Sequence, residues 1–197
     1  MRDRRAERRQ ATTLEIVEAA WKLARAEGLA GLSLRELARE VGMQAQSLYS
    51  YFDSKHAIYD AMYAQGCREF VEREAGLQLT GQPLPDLKTV MRFFVEFCTE
   101  DSVRYQLLFQ RTIPGFEPST ESFAISVEGL EALRRHLTDL GITDPAHVDL
   151  LTAIGTGLTD QQISNDPGGN RWARLVDDAM EMFFHHVSSQ SSKRSRK

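Results

Sequence analysis

The sequence predicts an all-α chain, a small N-terminal helix-turn-helix bundle continued by a larger helical domain. Three observations predict it. Apolar residues recur with a 3.6-residue period along most of the 197 positions, and no stretch alternates apolar with polar side chains for long. Pro, Gly and Asp cluster between the periodic segments, as in "TGQPLPD", "RTIPGFEPS", "GITDPAH" and "NDPGGN". Apolar residues make up 42% of the chain, enough for a packed core.

Taken in order, about nine helices follow. The first spans residues 13–27, with Ile16, Ala20, Leu23 and Ala24 on one face and Gly28 as its stop. Ser33 precedes "LRELAREV" as an N-cap, and Glu36 three residues on completes a capping box. Gly42 ends that helix, and a short third helix covers 44–51. Asp53 or Ser54 opens a long fourth helix carrying Ile58, Met62 and Phe70 inward. "TGQPLPD" is the best internal boundary, and helices near 86–100, 102–110, 119–140, 145–164 and 171–188 follow it. The domain plan is a basic flexible arm at 1–11, a helix-turn-helix domain at 12–54, a connecting helix at 55–79, a ligand-binding and dimerisation domain at 80–190, and a basic disordered tail at 191–197.

Charge is unevenly placed although its net value is only −4. Residues 1–60 hold ten Lys/Arg against nine Asp/Glu, residues 61–190 ten against nineteen, and residues 191–197 four against none. Basic ends around an acidic middle suit different partners for different parts. No apolar run reaches the roughly 18–20 residues of a membrane span, and "MRDRRAERRQ" has no apolar segment after it, so a cytoplasmic protein is expected. Cys67 and Cys98 have no Cys or His neighbour at metal spacing, so neither a disulfide framework nor a metal or other cofactor is expected. "GTGLTD" lacks the Lys-Ser/Thr ending of a phosphate loop, and no nucleophile is paired with a base. An enzyme is not expected.

The stretch "VGMQAQSLYSYFDSK" carries the functional signal. Leu34, Leu37, Ala38, Met43, Leu48 and Phe52 form a core set for a helix-turn-helix, Leu48 and Phe52 sharing one helix face. That leaves Gln44, Ala45, Gln46, Ser47, Tyr49, Ser50 and Tyr51 off the core. A helix fits the DNA major groove, where glutamine pairs with adenine N6/N7, and hydroxyls suit phosphate oxygens. Lys55, in the first turn of the fourth helix, adds an ammonium and a helix N-terminus for another phosphate.

With "IVEAAWKLARAEG", "LSLRELAREVGM" and above all "SLYSYFDSKHAIYDAM", residues 13–63 resemble the DNA-binding region of the TetR family of transcriptional regulators. The resemblance implies that Ser33 caps the second helix and touches a phosphate. It implies that Gln44, Ala45 and Gln46 face bases, that Ser47, Tyr49, Tyr51 and Lys55 clamp phosphates, and that the arginine-rich arm lies along the minor groove or backbone. Two positions depart from the family pattern. Gln44 stands where Ser or Thr commonly caps the third helix. His56 replaces a common Glu, losing a capping box; as a phosphate contact it would strengthen when protonated.

Residues 86–190 match the family in architecture only. Phe93, Phe94, Phe97, Tyr105, Phe109, Phe116 and Phe123 are more aromatic surface than a minimal core needs, so they are candidate pocket residues for a small hydrophobic or amphipathic ligand. Leu151, Ile154 and Leu158, beside small Ala153, Gly155 and Gly157, pair with Trp172, Leu175, Ala179, Met182 and Phe183 as a candidate interface. In the family two such helices per protomer form a four-helix bundle, and a homodimer matches an inverted-repeat operator in double-stranded DNA. The resemblance implies a repressor released by ligand. The alternative is a helical small-molecule-binding or scaffolding protein whose helix-turn-helix no longer reads DNA.

Overall fold

The computed structural model describes residues 4–194, with side-chain environments through residue 189. The described residues form nine α-helices and a short 3-10 turn, with no strand: α1 Arg4–Gly31, α2 Leu34–Glu40, α3 Ala45–Leu48, α4 Lys55–Ala75, α5 Pro83–Glu100, α6 Ser102–Phe109, α7 Thr120–Asp139, α8 Pro145–Asn165, the turn Ala173–Leu175 and α9 Val176–Arg194. No helix is long and apolar enough to cross a membrane among the described residues.

Both ends are more helical than expected. α1 begins at Arg4, so residues 4–11 of the anticipated flexible arm are helix, built from good helix formers in "RRAERRQA". Thr13 does not cap: its hydroxyl donates to the Arg9 carbonyl, 2.9 Å away, inside the continuing helix. α9 runs through Arg194, taking in the start of the anticipated tail; residues 1–3 and 195–197 lie outside the described residues.

The chain divides into two compact units, one comprising the chain up to Arg68 with Val103–Ser126, the other Glu69–Ser102 with everything from Val127. Residues 103–126, expected in the ligand domain, thus belong with the helix-turn-helix. In the first unit Ile16, Val17, Ala20, Trp21 and Ala24 of α1 pack with Leu37, Leu48, Phe52, Ile58 and Met62, and Leu107 of α6 is buried in the same core. Asp60 fixes the segment further. Its carboxylate accepts hydrogen bonds from the Ser119 amide at 2.6 Å, the Ser119 hydroxyl at 2.9 Å and the Ser122 hydroxyl at 2.8 Å, tying α4 to the N-terminus of α7. Trp21 donates to Gln65 at 2.7 Å, and Gln65 donates in turn to Glu18 at 2.6 Å.

In the second unit Leu87, Met91 and Val95 of α5 meet Leu137 of α7, Val148 and Leu151 of α8, and Val176, Met180, Phe183 and Val187 of α9. Gly155 permits the close approach of α8 to α5, since a Cβ there would sit 2.9 Å from the Met91 sulfur. Asp86, fully buried, accepts from the Thr80 amide and hydroxyl and the Gly81 amide, each at 2.8 Å. Burial alone would raise its carboxyl, but these donors outweigh it and hold it below the usual carboxylate range. "TGQPLPD" is therefore a structured turn, and it lies within the second unit rather than at its edge.

Candidate nucleic-acid interface and ligand cavities

Gly28, at φ 75° and ψ 162°, breaks the helical path of α1 so that Leu29 and Leu32 turn into the first core. The loop so made is latched by α4: the Tyr59 hydroxyl donates to the Leu29 carbonyl, and the Lys55 ammonium to the Ala30 carbonyl at 3.0 Å. α2 follows. Ser33 takes the N-cap position with extended backbone, yet its side chain makes no capping hydrogen bond, so the expected capping box with Glu36 does not form. The helix stands instead on the burial of Leu37 and Ala38, a leucine contributing roughly 1.5–3 kcal/mol when fully buried.

α3 is a single turn, shorter than the 44–51 expected. Gln44 occupies its N-cap without a side-chain bond, as its poor capping character predicts. Past Leu48 the chain tightens: the Ser50 amide reaches the Ser47 carbonyl at 3.1 Å and the Tyr51 amide the Leu48 carbonyl at 2.9 Å. Leu48 and Phe52 point inward and are buried. Gln44, Ala45, Gln46, Ser47, Tyr49 and Ser50 are exposed, Tyr49 by 53%. The amide and phenol groups singled out from sequence therefore form one outward surface.

The neighbours of this surface hold more than the sequence suggested. The Arg9 guanidinium donates to the Ser50 carbonyl at 2.6 Å and lies 5.0 Å over the Tyr51 ring, so the N-terminal helix is pinned to the end of α3. Tyr51 is half-buried beneath it, and Ser33 and Lys55 are half-buried too. Besides its bond to Ala30, the Lys55 ammonium lies 5.5 Å from the centre of the Tyr59 ring. The Ser54 hydroxyl accepts from the Ala57 amide at 3.1 Å and starts α4 without a carboxylate partner. His56 is exposed and packs edge-on against Phe116, ring centres 5.9 Å apart.

The seven candidate pocket aromatics divide between the two units. In the second unit Phe70 stacks with Phe93 at 5.2 Å, Phe97 at 5.1 Å and Phe94 at 6.4 Å between ring centres. Arg73, bidentate to Glu100 at 2.7 and 2.9 Å, lies over the Phe93 and Phe97 rings. These rings pack α5 onto α4. In the first unit Phe109, Phe116 and Phe123 line a cavity of about 350 Å³ with Tyr63 and Arg111, while Tyr105 is buried against Phe109.

A larger cavity of about 620 Å³ lies in the second unit. Val71, Ala75, Leu77, Leu79, Val90 and Leu133 form its apolar wall. Its polar groups are Glu74 of α4 and Glu128, Glu131, Arg135 and His136 of α7. Glu131 is paired with Arg134 at 2.7 Å, whereas Glu74 has no ion-pair or hydrogen-bond partner among the described residues, and burial pushes its carboxyl up to about 7. In the unfolded chain the same carboxyl ionises near 4.5. Below that value it is neutral in both states and costs nothing; as pH rises to 7 and above, folding bears the burial of its charge. Glu74→Gln is therefore expected to raise the melting temperature by a few degrees at pH 8 and to leave it unchanged at pH 4, read by calorimetry.

The candidate interface residues divide as well. Leu151 and Phe183 are consumed by the second unit's own core, with Ile154, Leu158 and Ala179 packed partly against it. Trp172 and Leu175 are half-buried, and Met182 is 74% exposed. Leu150, which the sequence reading passed over, is also exposed, one turn from Ala153 and Ile154.

A helix-turn-helix that turns an uncapped, amide-bearing helix to solvent defines the class of DNA-binding helix-turn-helix regulators. Comparison with known proteins makes it specific: residues 16–62 match the family model of the bacterial regulatory proteins of the tetR family. These residues belong to the DNA-binding region of the TetR family of bacterial regulators. It is 32% identical over 139 residues to the HTH-type transcriptional repressor DrrR1 of Streptomyces coeruleorubidus, an alignment covering 71% of this chain and 48% of that protein. The chain thus matches about half of that repressor's length. Its fold resembles the transcriptional regulator FadR of Bacillus subtilis, solved with stearoyl-CoA, at TM-score 0.65 and 16% identity over 86% of this chain and 96% of that one. It also resembles AibR, solved with isovaleryl coenzyme A and operator DNA, at TM-score 0.63 and 17% identity over 85% and 95%.

Proposed function

We propose that the chain binds an inverted-repeat operator in double-stranded DNA as a homodimer, represses transcription there, and leaves the DNA when a small amphipathic molecule enters the cavity of the second unit. The observation that carries the reading is the outward set on and around α3: Gln44, Gln46, Ser47 and Tyr49 exposed on a segment anchored by Leu48 and Phe52. Gln44 and Gln46 read base edges in the major groove. Ser47, Tyr49, Tyr51, Ser33 and Lys55 hold phosphates, joined by the exposed Arg4, Arg5 and Arg8 of α1. Ligand recognition acts through α4, which begins at Lys55 and supplies Val71, Glu74 and Ala75 to the cavity wall. A coupling of about 1–3 kcal/mol changes operator affinity by about 5- to 150-fold.

The test is a titration of duplex DNA from the gene's own upstream region with purified protein at several salt concentrations. Phosphate contacts release counterions, so six to ten of them should weaken binding by about 10³–10⁵ between 50 and 200 mM salt. Indifference to every duplex at low salt would leave a binding or scaffolding bundle as the remaining reading.

The dimer reading rests on the outer faces of α8 and α9. Leu150, Ala153 and Gly157 form an exposed stripe at helical spacing, with nothing within 4 Å of a Cβ built on Gly157, and Met182 stands out from α9. Gly157→Glu combined with Met182→Glu would trap unpaired charges between copies. The double variant is expected to sediment as a monomer at concentrations where the parent is a dimer, dimer affinity falling on the order of 100-fold or more.

A further inference from the structure

We propose that the cavity of the second unit is built for a ligand bearing a protonated amine, its ammonium set against the Glu74 carboxylate and its apolar body against Val71, Val90 and Leu133. The inference rests on reading this cavity as the effector site and names the chemistry it selects. Three features of the wall lead to it. Glu74 enters an otherwise apolar patch of α4, between Val71 and Ala75, with no basic side chain to answer it among the described residues. Such a group costs folding free energy and returns it only when a cation arrives. Carboxylates outnumber cations on the wall: Glu74, Glu128 and Glu131 share it with the Arg135 guanidinium and His136, Glu131 being paired with Arg134 and the Arg135 Nε donating to the Glu131 carbonyl at 3.3 Å. An anionic ligand would meet like charge there.

The third feature is size. At about 620 Å³ the space accepts a molecule of one to three fused rings rather than a simple ion. Because burial holds the Glu74 carboxyl near 7, amine binding should tighten as pH rises from 6 to 8 and the carboxylate forms. The other titratable groups on the wall, Glu128, Glu131, Arg135 and His136, all come from α7; α5 and the loop contribute only apolar groups. Glu74→Gln tests whether the pH effect comes from that carboxylate.

The experiment is calorimetric titration of the full-length protein with three matched probes: 2-naphthylmethylamine, 2-naphthylmethanol and 2-naphthoic acid. The parent is expected to bind the amine at least ~10-fold more tightly than the alcohol at pH 8, and the acid most weakly. Glu74→Gln should bring amine and alcohol to parity while leaving alcohol affinity within about twofold of the parent. Ala132 also lines the cavity, and Ala132→Phe, which sets a ring into it, should abolish binding of all three. Equal binding of amine and alcohol to the parent, or an amine preference that survives in Glu74→Gln, overturns the proposal and leaves the cavity reading standing. Alcohol binding that survives Ala132→Phe, or no binding of any probe, overturns both.

Discussion

Replacing Gln44, Gln46 and Tyr49 together by alanine is expected to weaken specific DNA binding by two orders of magnitude or more while leaving the melting temperature within a degree or two. Each bidentate amide–adenine pair discriminates by about 1–3 kcal/mol, and two such pairs account for roughly 30- to 10⁴-fold before any phosphate contact of Tyr49 is counted. The stability side follows from geometry: all three side chains are exposed, and Gln44 makes no capping bond that its loss would remove. Single substitutions should sort the roles. Gln46→Ala should relax base preference at one position of the site, whereas Lys55→Ala should weaken binding to all sequences alike and reduce the salt slope by about one. A mobility-shift series against a randomised operator library reads both. Uniform loss from both variants would refute the division between base-reading and phosphate-holding residues.

Asp60→Ala is expected to be strongly destabilising although it lies outside the apolar cores. The carboxylate receives three hydrogen bonds, from the Ser119 amide and the Ser119 and Ser122 hydroxyls, and Ser122 is buried. Hydrogen bonds to a charged group contribute about 1.5–3 kcal/mol each and are not additive, so a loss of about 3–4 kcal/mol is expected, with the buried Ser122 hydroxyl left only the Ser119 hydroxyl, 3.1 Å away. Asp60→Asn keeps an acceptor oxygen but turns a donor toward Ser122, and should lie between parent and alanine. Urea unfolding followed by circular dichroism checks the order. A smaller effect for alanine than for asparagine would mean that water replaces the carboxylate.

The fold was legible where one face of a helix had to be apolar. The period that places Ile16, Ala20 and Ala24 on one side, and Leu48 with Phe52 on another, is a direct consequence of burial, and those residues are the first core. The outward surface of α3 was legible for the same reason, as the remainder once the core is subtracted. What escaped the sequence depends on partners distant in the chain. "MRDRRAERRQ" shows charge but not that Arg9 would reach Ser50 and Tyr51 forty residues on. Aromatic density at Phe93, Phe94 and Phe97 cannot say whether rings border a void or one another; here Phe70 and Arg73 fill the space between them. Leu151 and Phe183 could as well face a second chain as their own unit's core, since both demands produce the same apolar stripe. One signal for the larger cavity was present. Glu74 lies three residues after Val71 on an apolar face of α4, a carboxylate where the pattern asks for a hydrocarbon.

The single turn of α3 has a further implication. Four residues cannot hold a helix unaided in water, so its shape is borrowed from the two anchors that flank and underlie it. Arg9 pins its end through the Ser50 backbone carbonyl, so the form depends little on the side chains at positions 44, 46, 47, 49 and 50, interchangeable type set in a fixed frame. A library varied at those five alone should consist almost wholly of folded proteins, and new target sequences could be selected from it without rebuilding the scaffold.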